Sequence, residues 1–247
     1  MHYTHLSTAY DALMAHVDYP QWAAHIQHLI DQHKPNPKLV LDLACGTATL
    51  TTLLPYEMIA IDHSVEMLLE AKQKAAEAGK DILFLHQDML DFELYGTVDV
   101  IICTCDGLNY LTEDGELLQV FKLVNNYLDP GGIFIFDLNS PYKYEHLLGN
   151  QRFSQVEETT AMIWENTYDP DTHINEYDVN LFTENPDGTY TRSEETHYQR
   201  AYDLKTVKTL LTEAGLAFVA VTDGYTSNPA AQTSERFTFI AKEITKS

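Results

Sequence analysis

Between residues 38 and 137 the chain repeats one pattern, a short apolar run followed by a helix-length segment. The runs lie at 38–44, 57–62, 82–86, 98–103 and 132–137, and the clearest helix-length segments at 47–54, 64–78 and 113–127. A strand that is apolar on both faces is stable only where helices cover both faces, and intervening helices supply the crossovers that parallel strands need. The pattern therefore predicts a parallel, doubly wound α/β sheet. Ser64 and Thr112 are the expected N-caps of the second and third helices, and Gly79 is expected just past a helix end. Upstream, residues 8–33 read as two helices broken at Asp18-Tyr19-Pro20, with Trp22, Ile26, Leu29 and Ile30 on one face of the second.

After the fifth run the period changes. Residues 160–202 alternate with period two, placing Tyr177, Val179 and Leu181 on one face and Glu176, Asp178 and Asn180 on the other. Asp169-Pro170-Asp171 and Asn185-Pro186-Asp187-Gly188 are turn signals. The expectation is a three-stranded antiparallel insert, then a helix at 203–214 ending at Gly215 and closing strands at 216–222 and 235–243. The chain thus divides into a helical cap at 1–36, a sheet domain built from 37–142 and 203–247, and an insert at 143–202.

Charge excludes some partners. Lys and Arg total 15 against 37 Asp and Glu, a formal net charge of −22, which repels phosphate backbones and anionic lipid, so neither nucleic acid nor membrane is expected as a partner. No apolar run is long enough to span a bilayer, and MHYTHLSTAYDALM lacks the basic and apolar regions of a signal peptide. Cys45, Cys103 and Cys105 read as reduced thiols of a cytoplasmic protein. His25, His28 and His33 fall on different sides of a helix with no further ligands to complete a set, so they read as solvated and no metal is expected.

The ends of the runs carry the chemistry. In VLDLACGTATL (Val40–Leu50) an apolar strand holds Asp42 and breaks at small residues around Gly46. A dinucleotide site shows three glycines there, because a pyrophosphate sits on the helix N-terminus. One glycine points instead to a nucleoside ligand without a pyrophosphate. Asp62 ends the second run, where a carboxylate accepts hydrogen bonds from both hydroxyls of a ribose or, alternatively, caps the helix at 64. The third run ends in Gln87-Asp88-Met89, an acid for an adenine amine beside an apolar side chain for its ring. The fourth ends in Cys103-Thr104-Cys105-Asp106-Gly107-Leu108-Asn109-Tyr110, a polar loop facing the same crevice.

These stretches together resemble the class I S-adenosylmethionine-dependent methyltransferases, of the bacterial small-molecule type. VLDLACGTATL is similar to the family's first motif, AIDHSVEML to the second, FLHQDMLDF to the third, VDVIICTCDGLNYL to the fourth and LDPGGIFIFDLNSPY to the fifth strand with its turn. Ala44 stands where many members have glycine. The resemblance implies a Rossmann-like seven-stranded sheet and S-adenosyl-L-methionine as cofactor. It implies that Gly46 and its neighbours Ala44, Cys45 and Thr47 approach the cofactor's amino-acid part, that Asp62 binds the ribose, that Asp88 and Met89 hold the adenine, with Met67 either adenine wall or helix core, that His63 and Gln87 are further cofactor contacts, and that the loop at Cys105-Asp106 borders the methionine moiety. Asp42 answers to an acid that braces the glycine loop and the cofactor's ammonium end. Tyr10, Tyr19 and Trp22 look like the cap that small-molecule members fold over the site.

Methyl transfer from a sulfonium is an in-line displacement, so the protein chiefly positions, desolvates and, where needed, deprotonates the acceptor. The expected function is methyl transfer to a small-molecule acceptor. An RNA or protein methyltransferase and a non-catalytic S-adenosylmethionine-binding protein are the alternatives. Asp106, His197 and Tyr198 are candidate bases, and Asn109, Asn139 and Arg200 candidate acceptor contacts. Arg200 alternatively pairs with Glu194 or Glu195 on a wet strand face.

Overall fold

The computed structural model describes residues 10, 11 and 13–246. The first of the two expected cap helices falls partly outside these residues. The second, α1, is Tyr19–His33, and Asp18 caps it by accepting from the Gln21 N–H at 3.0 Å. Then come β1 (Val40–Leu43), α2 (Thr49–Leu53), β2 (Met58–Asp62), α3 (Val65–Glu77), β3 (Ile82–His86) and β4 (Val98–Cys103). A tight turn at Gly107–Tyr110 precedes α4 (Glu116–Tyr127) and β5 (Leu128–Asn139).

These strands form a seven-stranded sheet in the order β10-β11-β5-β4-β1-β2-β3, in which β11 (Arg236–Glu243) alone runs antiparallel, against both β5 and β10 (Leu216–Asp223). Strand order reverses between β1 and β4, which opens a crevice above their carboxyl ends. Both faces are covered. Leu41 and Leu43 pack with Phe121 and Val124 of α4 and with Val207 and Leu211 of α5 (Leu204–Glu213). Val40, Val100, Ile102 and Ile135 pack on the other face with Ile26, Leu29 and Ile30 of α1 and Leu50 of α2. This two-sided burial is why the strands read as continuous apolar runs.

Between β5 and α5 stands a second sheet, with β6 (Arg152–Val156), β7 (Thr160–Asp169), β8 (Ile174–Glu184) and β9 (Tyr190–Arg200) paired antiparallel in sequence order. It has four strands rather than the expected three. The additional strand, β6, lies at the edge, is exposed at alternate positions, and so carries no apolar run to announce it. Two further expectations need correction. Helix α4 is capped by Gly115 at φ 92°, not by Thr112, whose carbonyl accepts from Arg200; the Glu116 carboxylate accepts from the Glu113 N–H at 2.9 Å. His25 is buried, its ring edge-on to Tyr225, rather than solvated.

Candidate active site

A cavity of about 350 Å³ lies over the carboxyl ends of β1, β2, β3 and β4. Its floor is the loop after β1, which turns through Ala44 at φ 61°, Gly46 at φ 57° and Ala48 at φ 58°. Left-handed backbone at a non-glycine residue costs about 1–3 kcal/mol and persists where surrounding contacts over-determine it. Here the Cys45 N–H donates to the Ile61 carbonyl at 2.9 Å and the Gly46 N–H to Asp62 Oδ2 at 2.7 Å. A Cβ on Gly46 would meet no protein atom within 4 Å. The glycine supplies the left-handed turn, and the space over it belongs to the cavity.

Asp62 does two local jobs at once. Its other oxygen, Oδ1, accepts from the Ser64 N–H at 2.8 Å, which fixes the start of α3, while Ser64 Oγ caps that helix at Met67 N. The carboxylate also lines the cavity. Burial raises its pKa, opposed by the two N–H donors and by His63. Beside it stand His63, Met67, Gln87, Asp88 and Met89, all on the cavity wall. Asp88 Oδ1 accepts from the Leu90 N–H at 2.9 Å, and Gln87 Oε1 from the Glu93 N–H at 2.8 Å.

Asp42 sits beneath the floor and off the cavity wall. It is buried, and its Oδ2 accepts from Thr51 Oγ1 of α2 at 2.5 Å. Its Oδ1 has no hydrogen-bond partner among the described residues. Burial, with the Asp62 charge adding to it, pushes its pKa up to about 7.

From the N-terminal side Tyr10 and Tyr19 line the cavity, as Cys45 and Thr47 do. Burial drives both phenols upward in pKa, so both remain protonated donors. Asp11 pins this segment down, pairing with Lys74 Nζ at 2.5 Å and accepting from Thr47 Oγ1 at 2.7 Å. Trp22 does not reach the cavity. It stacks on Tyr225 with centroids 3.9 Å apart, and the Arg236 guanidinium lies 5.4 Å over its ring, so its aromatic faces serve packing.

The loop after β4 forms the remaining wall through Thr104, Cys105, Gly107 and Tyr110. Cys105 and Asp106 are both left-handed, at φ 58° and 54°. Their N–H groups donate to the wholly buried Asp137 of β5, at 3.1 and 2.6 Å. Arg236 bridges the two acids, reaching Asp137 at 2.8 Å and Asp106 at 2.7 Å, and Tyr225 donates its hydroxyl to Asp137. Asp106 itself is off the cavity lining, committed to Arg236 and Gln199. Asp137, Arg236, Tyr225, Gln199 and Tyr110 are absent from the sequence-based list of site residues. The signal for Asp137 was present, an acid in a buried strand like Asp42.

The three expected acceptor contacts lie elsewhere because their polar groups are already used. Asn109 is fully buried and ties two strand ends together, donating to the Arg200 carbonyl at 2.8 Å and accepting from the Asn139 N–H at 2.9 Å. Asn139 Oδ1 accepts from Lys143 Nζ at 3.0 Å. The Arg200 guanidinium pairs with Asp114 at 2.8 Å and donates to the Thr112 carbonyl, rather than meeting Glu194, Glu195 or the cavity. Of the candidate bases on β9, Tyr198 points outward and is exposed. His197 points inward, buried behind Tyr110, with Nδ1 3.4 Å from the Tyr110 hydroxyl and Nε2 3.3 Å from Glu195. Among the described residues no cluster of acids, Cys and His could hold a metal.

Comparison with known proteins agrees with this geometry. Residues 40–132 match a family model described as a methyltransferase domain. A Geobacillus sp. (strain WCH70) protein, provisionally named a methyltransferase, is 32% identical over 98% of this chain and 100% of its own. A dTDP-3-amino-3,4,6-trideoxy-alpha-D-glucopyranose N,N-dimethyltransferase of Streptomyces venezuelae is 28% identical, over 49% of this chain and 50% of its own. The crystal structure of an S-adenosylmethionine-dependent methyltransferase from Clostridium acetobutylicum superposes with a TM-score of 0.89 at 31% identity, covering 98% of this chain and 99% of that one. The chain belongs to the S-adenosyl-L-methionine-dependent methyltransferases of class I.

Proposed function

We propose that the cavity over the strand ends holds S-adenosyl-L-methionine and that the acceptor is an amine nitrogen of a small molecule. One observation carries this reading. Asp62, Asp88 and Glu116 line the cavity, and no Lys or Arg is among its described lining residues. Such a wall favours a ligand that carries positive charge, as both a sulfonium and a protonated amine do. The N,N-dimethyltransferase relative supports the nitrogen, and the net charge of −22 counts against an RNA acceptor.

The residues fit the donor. The open space over Gly46 leaves room for a ligand against the backbone. Asp62 keeps lone pairs beyond its two N–H bonds for ribose hydroxyls, and Met67, Asp88 and Met89 would flank the adenine. Asp42, whose Oδ1 has no partner among the described residues, stays off the cavity wall. When bound, the donor supplies a methyl group on a sulfonium that is already a good leaving group. The chain's own work is to orient the acceptor in line with it and to exclude water. Tyr10 and Tyr19, protonated, and Tyr110 are the walls that would do both. His197, behind Tyr110, is placed to take a proton passed through that hydroxyl.

The test is methyl-labelled S-adenosyl-L-methionine incubated with the protein and a bacterial metabolite extract. Label should appear as an N-methyl group of a product, read by mass spectrometry and the methyl carbon shift. A labelled methyl on oxygen, carbon or sulfur would overturn the amine assignment.

A further inference from the structure

Asp106 is held by three separate parts of the fold. Its N–H donates to Asp137 of β5, and its Oδ1 pairs with Arg236 of β11. Its Oδ2 accepts from Gln199 Nε2 of the insert strand β9, at 2.8 Å. Gln199 is buried, and its amide oxygen accepts from the hydroxyls of Tyr144 at 2.8 Å and Tyr177 at 2.9 Å. Two phenols that donate and one carboxylate that accepts leave a single orientation for the amide, because turning it over would set oxygen against carboxylate. The insert sheet therefore grips the residue next to Cys105, in the strained turn that forms the cavity wall.

We propose that Gln199 is a positioning residue for the methyl-donor pocket, acting through Asp106 on the left-handed turn at Cys105–Asp106. The inference rests on the assignment of the cavity to the donor. It gives the insert a part in donor binding. Any acceptor seated against the insert is linked to donor affinity, and the linkage is reciprocal.

Calorimetric titration of the full chain with S-adenosylhomocysteine tests this. Gln199→Met removes both hydrogen-bonding functions at similar length and should weaken binding about tenfold. Gln199→Glu sets two carboxylates face to face, Asp106→Asn sets two amide donors face to face, and each alone should weaken binding about tenfold as well. Combining Gln199→Glu with Asp106→Asn reverses the donor and acceptor of the bond while keeping acceptors for both tyrosines and for Arg236. That exchange should return affinity to within about threefold of wild type, which a merely structural loss would not do. Thr196→Val, on the outward face of β9, should change nothing. Wild-type affinity in both Gln199 single variants, or an exchange that recovers nothing, overturns the proposal. If Asp62→Ala weakens binding while the Gln199 variants do not, only the Gln199 proposal falls. If Asp62→Ala binds as wild type does, the donor-pocket assignment falls and takes the proposal with it.

Discussion

Asp62 and Asp137 each end or nearly end a strand of the same sheet, and each accepts two backbone N–H groups from the loops beside it. Asp62 takes those of Gly46 and Ser64, and Asp137 those of Cys105 and Asp106. They differ in what meets the rest of the carboxylate. Asp137 is sealed from solvent and bound to Arg236 and Tyr225, whereas Asp62 opens onto the cavity. One acid is neutralised by the protein, and the other keeps its lone pairs for a ligand. The same device thus serves as scaffold on the β4–β5 side and as binding group on the β1–β2 side.

Removing the counter-charge is the strongest way to break this comparison. Arg236→Met would leave Asp106 and Asp137 without the cation that hydrogen-bonds to both, and breaking a buried pair costs roughly 3–5 kcal/mol. Urea denaturation should show that loss, and a change below about 1 kcal/mol would mean that Arg236 does not hold the two acids in place. Next in size is Asp62→Ala. Donor affinity should fall by roughly 2–3 kcal/mol, about 30- to 150-fold in Kd, as two ribose hydroxyls lose a charged acceptor. An unchanged Kd in a folded variant would reduce Asp62 to a second scaffold acid.

The smallest effect sharpens the contrast through a third acid. Asp42 titrates at about 7 in the folded chain against an ordinary value of 3.8. Between those values the folded state keeps a proton that the unfolded chain has released. The stability tied to this group is therefore fully present below pH 3.8 and declines as pH rises toward 7. Asp42→Asn cannot titrate, so its stability relative to wild type should rise by about 1–2 kcal/mol from pH 6 to pH 8. Thermal unfolding at the two pH values measures it, and a pH-independent difference would show that Asp42 is ionised at both.

Much of the fold was legible because its signals are local. Ser64, Gly79 and Gly215 mark helix ends with their own side chains or φ angles. The five apolar runs coincide with β1–β5, apart from a β5 that starts four residues early. The edge strand β6 and the Gly115 cap were not legible. An exposed edge strand needs no apolar run, and a left-handed cap is chosen by the turn that must precede α4 rather than by a capping side chain.

The sequence by itself determined the doubly wound sheet, the place of the crevice and the acids and small residues around it, since alternation and strand ends are properties of neighbouring residues. Only the tertiary structure decided which polar side chains reach the cavity. Asp106 meets Gln199 across 93 residues and Arg236 across 130. Asn109 and Arg200, which look available in the sequence, are consumed by backbone carbonyls and by Asp114. Buried polar groups must find partners wherever the fold brings them, and that demand is met by distance in space, which residue periodicity does not encode.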